Sequence, residues 1–301
     1  MTHVLKHLKK ISIVLITIFS INSYACDVCG CGAGNSSSTQ YSNYNYFGLS
    51  YNYMHFNYKE GIHSTSPIGT DNINSVQLTG QYFITGRLSI NTMIPFQFNE
   101  REASTGTVQN HGLGDISLTG LFNLFHNDDN QSLRIGVGVK LPTGKFDLIR
   151  ANANNASSIS ATQLGTGALD VIFPLQYAIQ INDISFQANA TYFYKTENKY
   201  YFKYGDQTQI QAKVSYLFKE TTKASWSVSG GVSYDKFLNS KTSGSANFNT
   251  DGVMTNAIIG LKCELQKLAI GINYQTPIDQ KLVNNDVTFN RGLGIYTHWK
   301  F

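Results

Sequence analysis

Apolar and polar residues alternate along most of this 301-residue chain, in about twelve separate segments. The stretch from Leu133 to Leu141 is the clearest case, because every second residue from Leu133 onward is leucine, isoleucine or valine. A period of two indicates a β-strand with one apolar and one polar face. Each segment has roughly the 9–11 residues that a tilted strand needs to cross a bilayer, or slightly more. The predicted strands cover residues 44–57, 75–84, 87–98, 113–124, 132–142, 168–180, 183–194, 208–218, 224–236, 253–265, 267–276 and 292–301.

The connections between these segments are short and long in turn. Short turns are predicted near residues 85–86, 126–131, 182–183, 219–223 and 266, and long polar loops at 59–74, 99–111, 143–166, 195–206, 237–252 and 277–290. Bacterial outer-membrane barrels have an even strand number, with periplasmic termini and turns on one side and long loops on the other. We therefore predict an all-β fold: a single antiparallel transmembrane β-barrel of about twelve strands, surrounded by outer-membrane lipid.

The last segment ends on an aromatic residue, Phe301. In a barrel the last strand must pair with the first, because an open sheet edge would leave unpaired backbone groups in lipid. An amphipathic strand with a terminal aromatic residue is typical of outer-membrane barrels. It also predicts recognition of the chain by the barrel assembly machinery through this strand.

Charged residues make up only 14% of the chain, and in the predicted strands they lie on the polar parity. His55 is the one titratable side chain placed on an apolar face. A Lys or Arg that faced the middle of the bilayer would cost roughly 2–4 kcal/mol, which explains this exclusion. The chain contains no basic block, and this excludes nucleic-acid binding as its function.

The N-terminus has the pattern of a secretory signal. Lys6, Lys9 and Lys10 precede the apolar run 11–19, and Ser23-Tyr24-Ala25 forms a small-x-small cleavage site. The apolar run is shorter than the roughly 20 residues of a transmembrane helix. The three lysines also account for three of the four formal positive charges. We predict a signal peptide at 1–25, a flexible cysteine-containing segment at 26–43 and the barrel at 44–301.

Cys26, Cys29 and Cys31 would then lie at the new N-terminus. Three alternatives stay open for them. Two of the thiols could form a disulfide in the oxidising periplasm. The three could instead bind a soft metal, Cu(I) or Zn(II), since closely spaced thiolates are suitable ligands for both. Cys26 alone could carry a lipid, although Ser23 replaces the branched apolar residue usual at that position.

Two adjacent segments resemble a known family. They are the run His111-Gly-Leu-Gly-Asp115-Ile-Ser-Leu118, and the strand Leu133–Gly144, which contains Gly-Val-Gly-Val-Lys-Leu-Pro-Thr-Gly. This hairpin is similar to that of the outer-membrane transporter family named for the meta-cleavage pathway of phenol degradation. The resemblance implies a barrel that passes small compounds, hydrophobic ones included, across the outer membrane.

The same hairpin supplies the candidate site. If its turn centres near residue 128, Asp115 lies opposite Lys140, and both point into the lumen. An ion pair of this kind stabilises a sheet by about 0.2–1 kcal/mol and fixes its register. On the structural interpretation, this ion pair only holds the wall together. The functional one makes Asp115, Arg134, Lys140 and Asp170 a polar constriction that selects solutes.

No enzyme constellation stands out. His55 is the only histidine predicted to face lipid, and its strand neighbours offer no matching serine or acid. We therefore predict a channel for passive passage of small solutes, without catalysis. The alternative is a surface barrel without transport activity, which would bind metal or mediate adhesion through the cysteine leader and the long loops.

Overall fold

The computed structural model describes residues 42–61, 65–127, 131–146 and 163–301. These residues form sixteen strands and one short 3-10 helix, Val283–Asn285. The strands are β1 (Tyr46–Lys59), β2 (Ile68–Phe83), β3 (Leu88–Ala103), β4 (Gly106–Leu113), β5 (Ile116–Asn127), β6 (Gln131–Leu141), β7 (Asp170–Ile181), β8 (Ile184–Tyr194), β9 (Phe202–Lys203), β10 (Gln207–Glu220), β11 (Ala224–Phe237), β12 (Lys241–Thr242), β13 (Ser245–Ala246), β14 (Gly252–Leu265), β15 (Leu268–Leu282) and β16 (Val287–Lys300).

Thirteen of these strands form a single antiparallel sheet that closes on itself. β4 and β5 both pair with β3, so they make one wall strand that is interrupted at Gly114 and Asp115. The wall therefore has twelve strands, as the sequence predicts. β9, β12 and β13 form a separate small sheet that is not part of the wall. None of the helices in the described residues is long and apolar enough to cross a membrane.

The barrel closes where its first strand meets its last. β1 pairs with β2 on one side and with β16 on the other, and Phe47 lies opposite Trp299. Their rings stack with centroids 5.1 Å apart. The predicted pairing of the C-terminal strand with the first strand is thus confirmed, and it leaves no free wall edge in the described residues. We call the end that carries Ser42 and Phe301 the terminal end, and the opposite end the loop end.

The two faces of the wall differ as the alternation predicts. Outward side chains form an exposed apolar belt, of which Phe47, Val137 and Ile259 are 55–61% exposed. Inward positions along the same strands carry buried polar groups such as Ser50 and Gln77. An apolar outer face suits contact with lipid, and a polar inner face suits a lumen that contains water.

The strands continue further toward the loop end than the sequence suggests. β2 begins at Ile68 and β3 extends to Ala103, inside loops predicted at 59–74 and 99–111. Those extensions carry polar residues on both faces, so the alternation signal is lost although backbone pairing continues. Outward Asn74, for example, accepts a hydrogen bond from the Tyr51 hydroxyl at 2.6 Å.

The outer face of these extensions also carries charge. Lys236, Lys281 and Arg291 are exposed at outward positions near the loop end. Lys236 lies at the very end of a predicted strand, so the expected exclusion of charge from the apolar parity is wrong at that position. The physical reason is that the strand continues beyond the apolar belt, where an outward lysine contacts water and costs little.

The lumen is not polar throughout, contrary to expectation. At the loop end, inward side chains form an apolar cluster in which Phe56 and Phe289 are fully buried and their ring centroids lie 5.1 Å apart. The inward residues of β1 change from serine and asparagine to methionine and aromatic residues toward this end. The members are Met54, Phe56, Tyr58, Ile73, Phe237, Met254, Leu282, Val283, Val287 and Phe289.

The turn between β15 and β16 completes this cluster. Val283, Asn284 and Asn285 all have positive φ, at 49°, 54° and 68°. A β-branched residue in this region is strained. Val283 is nevertheless buried, and its N–H donates to the Asp251 carbonyl at 2.9 Å. Burial and this hydrogen bond offset the strain and hold the turn against the loop end of the lumen.

Candidate functional site

A buried network of charges lies inside the barrel at the loop end. The Lys140 Nζ is 3.3 Å from Asp115 Oδ2 and 3.0 Å from Asp170 Oδ2. The Lys195 Nζ is 3.3 Å from the same Asp170 oxygen. All four side chains are at most 6% exposed. Two carboxylates therefore face two ammonium groups, and the network is neutral as a unit.

The contact between Asp115 and Lys140 is the one that the hairpin predicts, but the register is different. Lys140 pairs with Ser117 and with Asp170, while Asp115 lies two positions beyond Ser117 in the interruption between β4 and β5. A bulge near Asn123 shifts the pairing of β5 with β6. The ion pair is consequently diagonal, across the end of the strand.

Asp115 also binds the segment that follows β6. Its carboxylate accepts hydrogen bonds from the Gly144 N–H at 3.0 Å and from the Thr166 N–H and hydroxyl at 2.8 and 2.9 Å. One buried carboxylate thus joins both ends of the connection between β6 and β7 to the lumen wall. Sequence reasoning missed Thr166 and Lys195. Lys195 follows the inward parity of β8 and could have been found by extending that strand by one residue.

Arg134 lies far from this network. It is six residues from Lys140 on β6, or about 20 Å at the usual rise of a strand, and it is 2% exposed near the terminal end. Its Nη1 donates to the Ser42 carbonyl at 2.9 Å, and its guanidinium lies 5.3 Å from the Phe83 ring centroid. The structure therefore brings Asp115, Lys140 and Asp170 together but places Arg134 elsewhere.

Residues before β1 enter the lumen at this same end. The Gln81 amide donates to the carbonyl and hydroxyl of Ser42 at 3.0 and 2.9 Å, and to the Tyr44 carbonyl at 3.2 Å. Ser42 is only 5% exposed. Arg134 and Gln81 together hold the start of the described chain inside the barrel, where it narrows the opening.

A cavity of about 640 Å³ occupies the terminal end of the lumen. We call it the vestibule. It is lined mainly by residues of β7, β8, β10, β11, β14 and β16. Ser42, Asn43 and Tyr44, which precede β1, also line it. Polar side chains dominate one wall, where Ser225, Ser227 and Ser229 occupy successive inward positions of β11. The vestibule is large enough for small organic solutes, since ligand pockets begin near 300 Å³.

The vestibule holds ionised groups as well as hydroxyls. Glu264 is 2.8 Å from Lys262 and forms a second ion pair with Lys300. The Lys300 ammonium also lies 4.7 Å from the Tyr44 ring centroid. Burial, and then the nearby Glu264 carboxylate, raise the pKa of the Tyr44 phenol, so this side chain stays neutral at every physiological pH.

Gly136, on the inward face of β6, makes room for its neighbours in the wall. A Cβ at Gly136 would lie 2.4 Å from the Gly120 carbonyl oxygen and 2.7 Å from the Leu121 side chain. Leu121 is buried, and it borders a small cavity of about 80 Å³ with Met93, Pro174 and Phe193. Gly136 therefore lets Leu121 pack tightly at mid-height.

The predicted metal ligands Cys26, Cys29 and Cys31 lie outside the described residues. Within the described ranges, no group of three His, Cys, Asp or Glu side chains could hold a metal ion. Cys263, the cysteine that is described, is a free thiol on the outward parity of β14. Metal binding, disulfide formation and lipidation of the leader all stay predictions.

A closed twelve-stranded antiparallel barrel with an apolar belt outside and a polar lumen belongs to the class of outer-membrane β-barrels. The match to a family profile is more specific. The chain belongs to the family described as "Putative MetA-pathway of phenol degradation", whose profile matches residues 61–279. This confirms the resemblance carried by the β5–β6 hairpin. No curated protein matches the chain in sequence.

Solved structures share the fold at low sequence identity. An outer-membrane channel from Pseudomonas putida F1 is 18% identical, with a TM-score of 0.62, and the match covers 87% of this chain and 97% of that one. The translocator domain of the autotransporter NalP from Neisseria meningitidis is 9% identical, with a TM-score of 0.52, and the match covers 89% and 92%. The β-domain of a Bordetella autotransporter is 8% identical, with a TM-score of 0.50 and coverage of 86% and 100%.

Proposed function

We propose that this barrel lies in the bacterial outer membrane with its terminal end in the periplasm, and that small solutes pass through its lumen by diffusion. The orientation follows the class, in which both termini and the short turns are periplasmic. The lumen would carry water and solute, while the apolar belt contacts acyl chains. No catalytic step and no energy source are part of this proposal.

The vestibule is the observation that carries the proposal. Twelve strands enclose a wider lumen than the eight-stranded barrels that side chains fill, and a narrower one than the general porins. The polar 640 Å³ cavity gives solutes a wet compartment at one end of that lumen. At the other end, the Asp115–Lys140–Asp170–Lys195 network and the apolar cluster narrow the path. We propose that these two layers set the size limit, with the charged network as the constriction.

Single-channel recording tests this function. The refolded chain without the predicted signal peptide should give discrete conductance steps in planar bilayers. A Ser229→Phe variant, which adds bulk to the vestibule wall, should lower the conductance. Its control is Val228→Phe, one residue away on the outward parity, where the side chain is 46% exposed and faces away from the lumen. Absence of conductance from protein that shows heat-modifiable mobility on gels would overturn the proposal.

The solute itself is proposed only as a class. The family resemblance implies small compounds, hydrophobic ones included, and the family description names a phenol pathway without naming a cargo. The members of the apolar cluster at the loop end are at most 8% exposed, so they present little surface to such compounds. The vestibule offers polar and charged groups.

We also propose that the barrel assembly machinery recognises β16. Phe301 is 69% exposed at the end of that strand, so its ring is accessible to a partner. Deletion of Phe301 should reduce the amount of assembled barrel in cells without reducing synthesis. Equal assembly of the shortened chain would contradict this.

A further inference from the structure

Lys213 has a different environment from the other lysines of the vestibule. It points inward from β10, midway between the two ends of that strand. Glu264 is shared by Lys262 and Lys300, so one carboxylate meets two ammonium groups. In the described residues no carboxylate lies within ion-pair distance of Lys213. The vestibule therefore contains a positive charge that none of the side chains the structure describes compensates.

The remaining acid of the vestibule does not change this balance. Asp183 lies on the turn between β7 and β8, exposed at the rim. Lys213 pairs with Gln187, four residues further along β8, which places Asp183 about 13 Å away along the strand. Asp183 also faces bulk water, where its charge is screened.

Lys213 is half-buried and borders the vestibule, where serine side chains provide hydrogen-bond donors. Its partner on β11 is Gly231, which has no side chain to cover it. A Cβ at Gly231 would lie 2.4 Å from the Ala212 carbonyl oxygen, so the position admits only glycine without a backbone shift. Ser215 and Ser229 pair with each other two positions nearer the terminal end, and both line the vestibule. A lysine beside several hydroxyls is a site that suits an anion.

We infer that Lys213 is the centre of a binding site for small anions, with carboxylates as the organic class that it takes, and that it makes the channel selective for anions. Lys262 and Lys300 share only Glu264, so this cluster adds a net positive charge to that of Lys213, and the vestibule as a whole attracts anions. This inference rests on the proposed solute passage and names the solutes that the vestibule favours.

Reversal potentials in a potassium chloride gradient test the inference. The unmodified barrel should favour chloride over potassium. Lys213→Gln should reduce that preference by about fivefold, which is the effect of one unit charge at contact distance in water, and Lys213→Arg should retain it. The matched control is Lys223→Gln, on the exposed turn between β10 and β11 and outside the vestibule.

Added potassium acetate should block the chloride current of the unmodified barrel in a saturable way. Lys213→Gln should abolish the acetate block. Unchanged selectivity in Lys213→Gln, or a preference for potassium in the unmodified barrel, would overturn the inference while leaving solute passage intact.

If the folded barrel does not conduct, the proposed function fails by itself, and the site is tested directly. The NMR line of acetate should then broaden in the presence of the detergent-solubilised barrel, and the broadening should be lost in Lys213→Gln. Equal broadening by both proteins would overturn the anion site.

Discussion

Arg101 and Asp71 face each other across β3 and β2, and two hydrogen bonds of 2.6 and 2.7 Å join the guanidinium to the carboxylate. Both side chains are nearly inaccessible, at 3% and 1% exposure. The guanidinium also lies 4.0 Å from the Tyr58 ring centroid. A bidentate pair in this setting fixes which residues of the two strands meet.

Removal of one partner should therefore be costly. Arg101→Met leaves Asp71 buried without a counter-charge and should lower the free energy of unfolding by about 3–5 kcal/mol. The double variant Asp71→Leu with Arg101→Met removes both charges and should recover much of that loss. Urea unfolding of the barrel in lipid vesicles measures both. Equal losses in the single and double variants would show that the pair matters for its packing and not for its charge.

Gly136 should tolerate no side chain. Gly136→Ala places a methyl group against the Gly120 backbone and the Leu121 side chain, so we expect a loss of about 1–3 kcal/mol and a lower yield of folded barrel. Gly230→Ala is the control, because a Cβ there has nothing within 4 Å and its stability should change by less than about 0.5 kcal/mol. Heat-modifiable mobility and urea midpoints report the difference. If both variants behave alike, close packing at Gly136 is not limiting.

Asp115 should hold the connection between β6 and β7. Asp115→Asn weakens three hydrogen bonds to Gly144 and Thr166, and bonds to a charged acceptor contribute about 1.5–3 kcal/mol each. Trypsin should then cleave after the exposed Lys145 at least about tenfold faster, because local opening becomes easier. Asp183→Asn, at the exposed rim of the other end, should leave the rate unchanged. A rate that does not respond to Asp115→Asn would contradict the anchoring role.

The hydrogen bonds to Ser42 should restrict the opening at the terminal end. The double variant Gln81→Ala with Arg134→Gln removes the donors that hold residues 42–44 inside the lumen, so single-channel conductance should rise. Arg87→Gln, on the exposed turn after β2, is the charge-matched control. An unaltered conductance would mean that these residues do not limit the flow.

Metal binding by the leader is a separate prediction. If Cys26, Cys29 and Cys31 bind Cu(I) or Zn(II), the purified chain without the predicted signal peptide should contain close to one equivalent of metal, because three thiolates suffice for a site. A variant with Cys29→Ser and Cys31→Ser should lose it, and Cys263→Ser should not. Metal content that is the same in all three proteins would favour the disulfide or the lipid.

The wall could be predicted almost completely from the sequence, because its strands must present apolar residues to one side and polar residues to the other. The contact of Asp115 with Lys140 could also be predicted, since both residues belong to one hairpin. Asp71 and Arg101 could not, because they lie where strands rise beyond the apolar belt and both faces turn polar. Those segments have the composition of loops, although they form paired strands.

The apolar cluster in the lumen shows a second limit of sequence patterns. Phe56 shares the inward parity of polar residues lower on β1, so alternation alone assigns it to a wet surface. Phe289 lies beyond a bulge in β16 that shifts its parity from the outer face to the lumen. What removes them from water is the inward turn at Val283, whose left-handed backbone conformation follows no local pattern. Arg134 was misplaced for a related reason: a parity gives the face of a side chain but not its height in the barrel.

The pairing of β1 with β16 has a consequence for biogenesis. Leu49 and Thr297 are neighbours across this seam although 248 residues separate them, so the cylinder cannot be sealed until the whole chain has been delivered. A ribosome that stops before β16 would release a curved sheet with two unpaired edge strands, and each edge would be free to pair with another copy. Premature termination should therefore produce insoluble aggregates and not smaller cylinders.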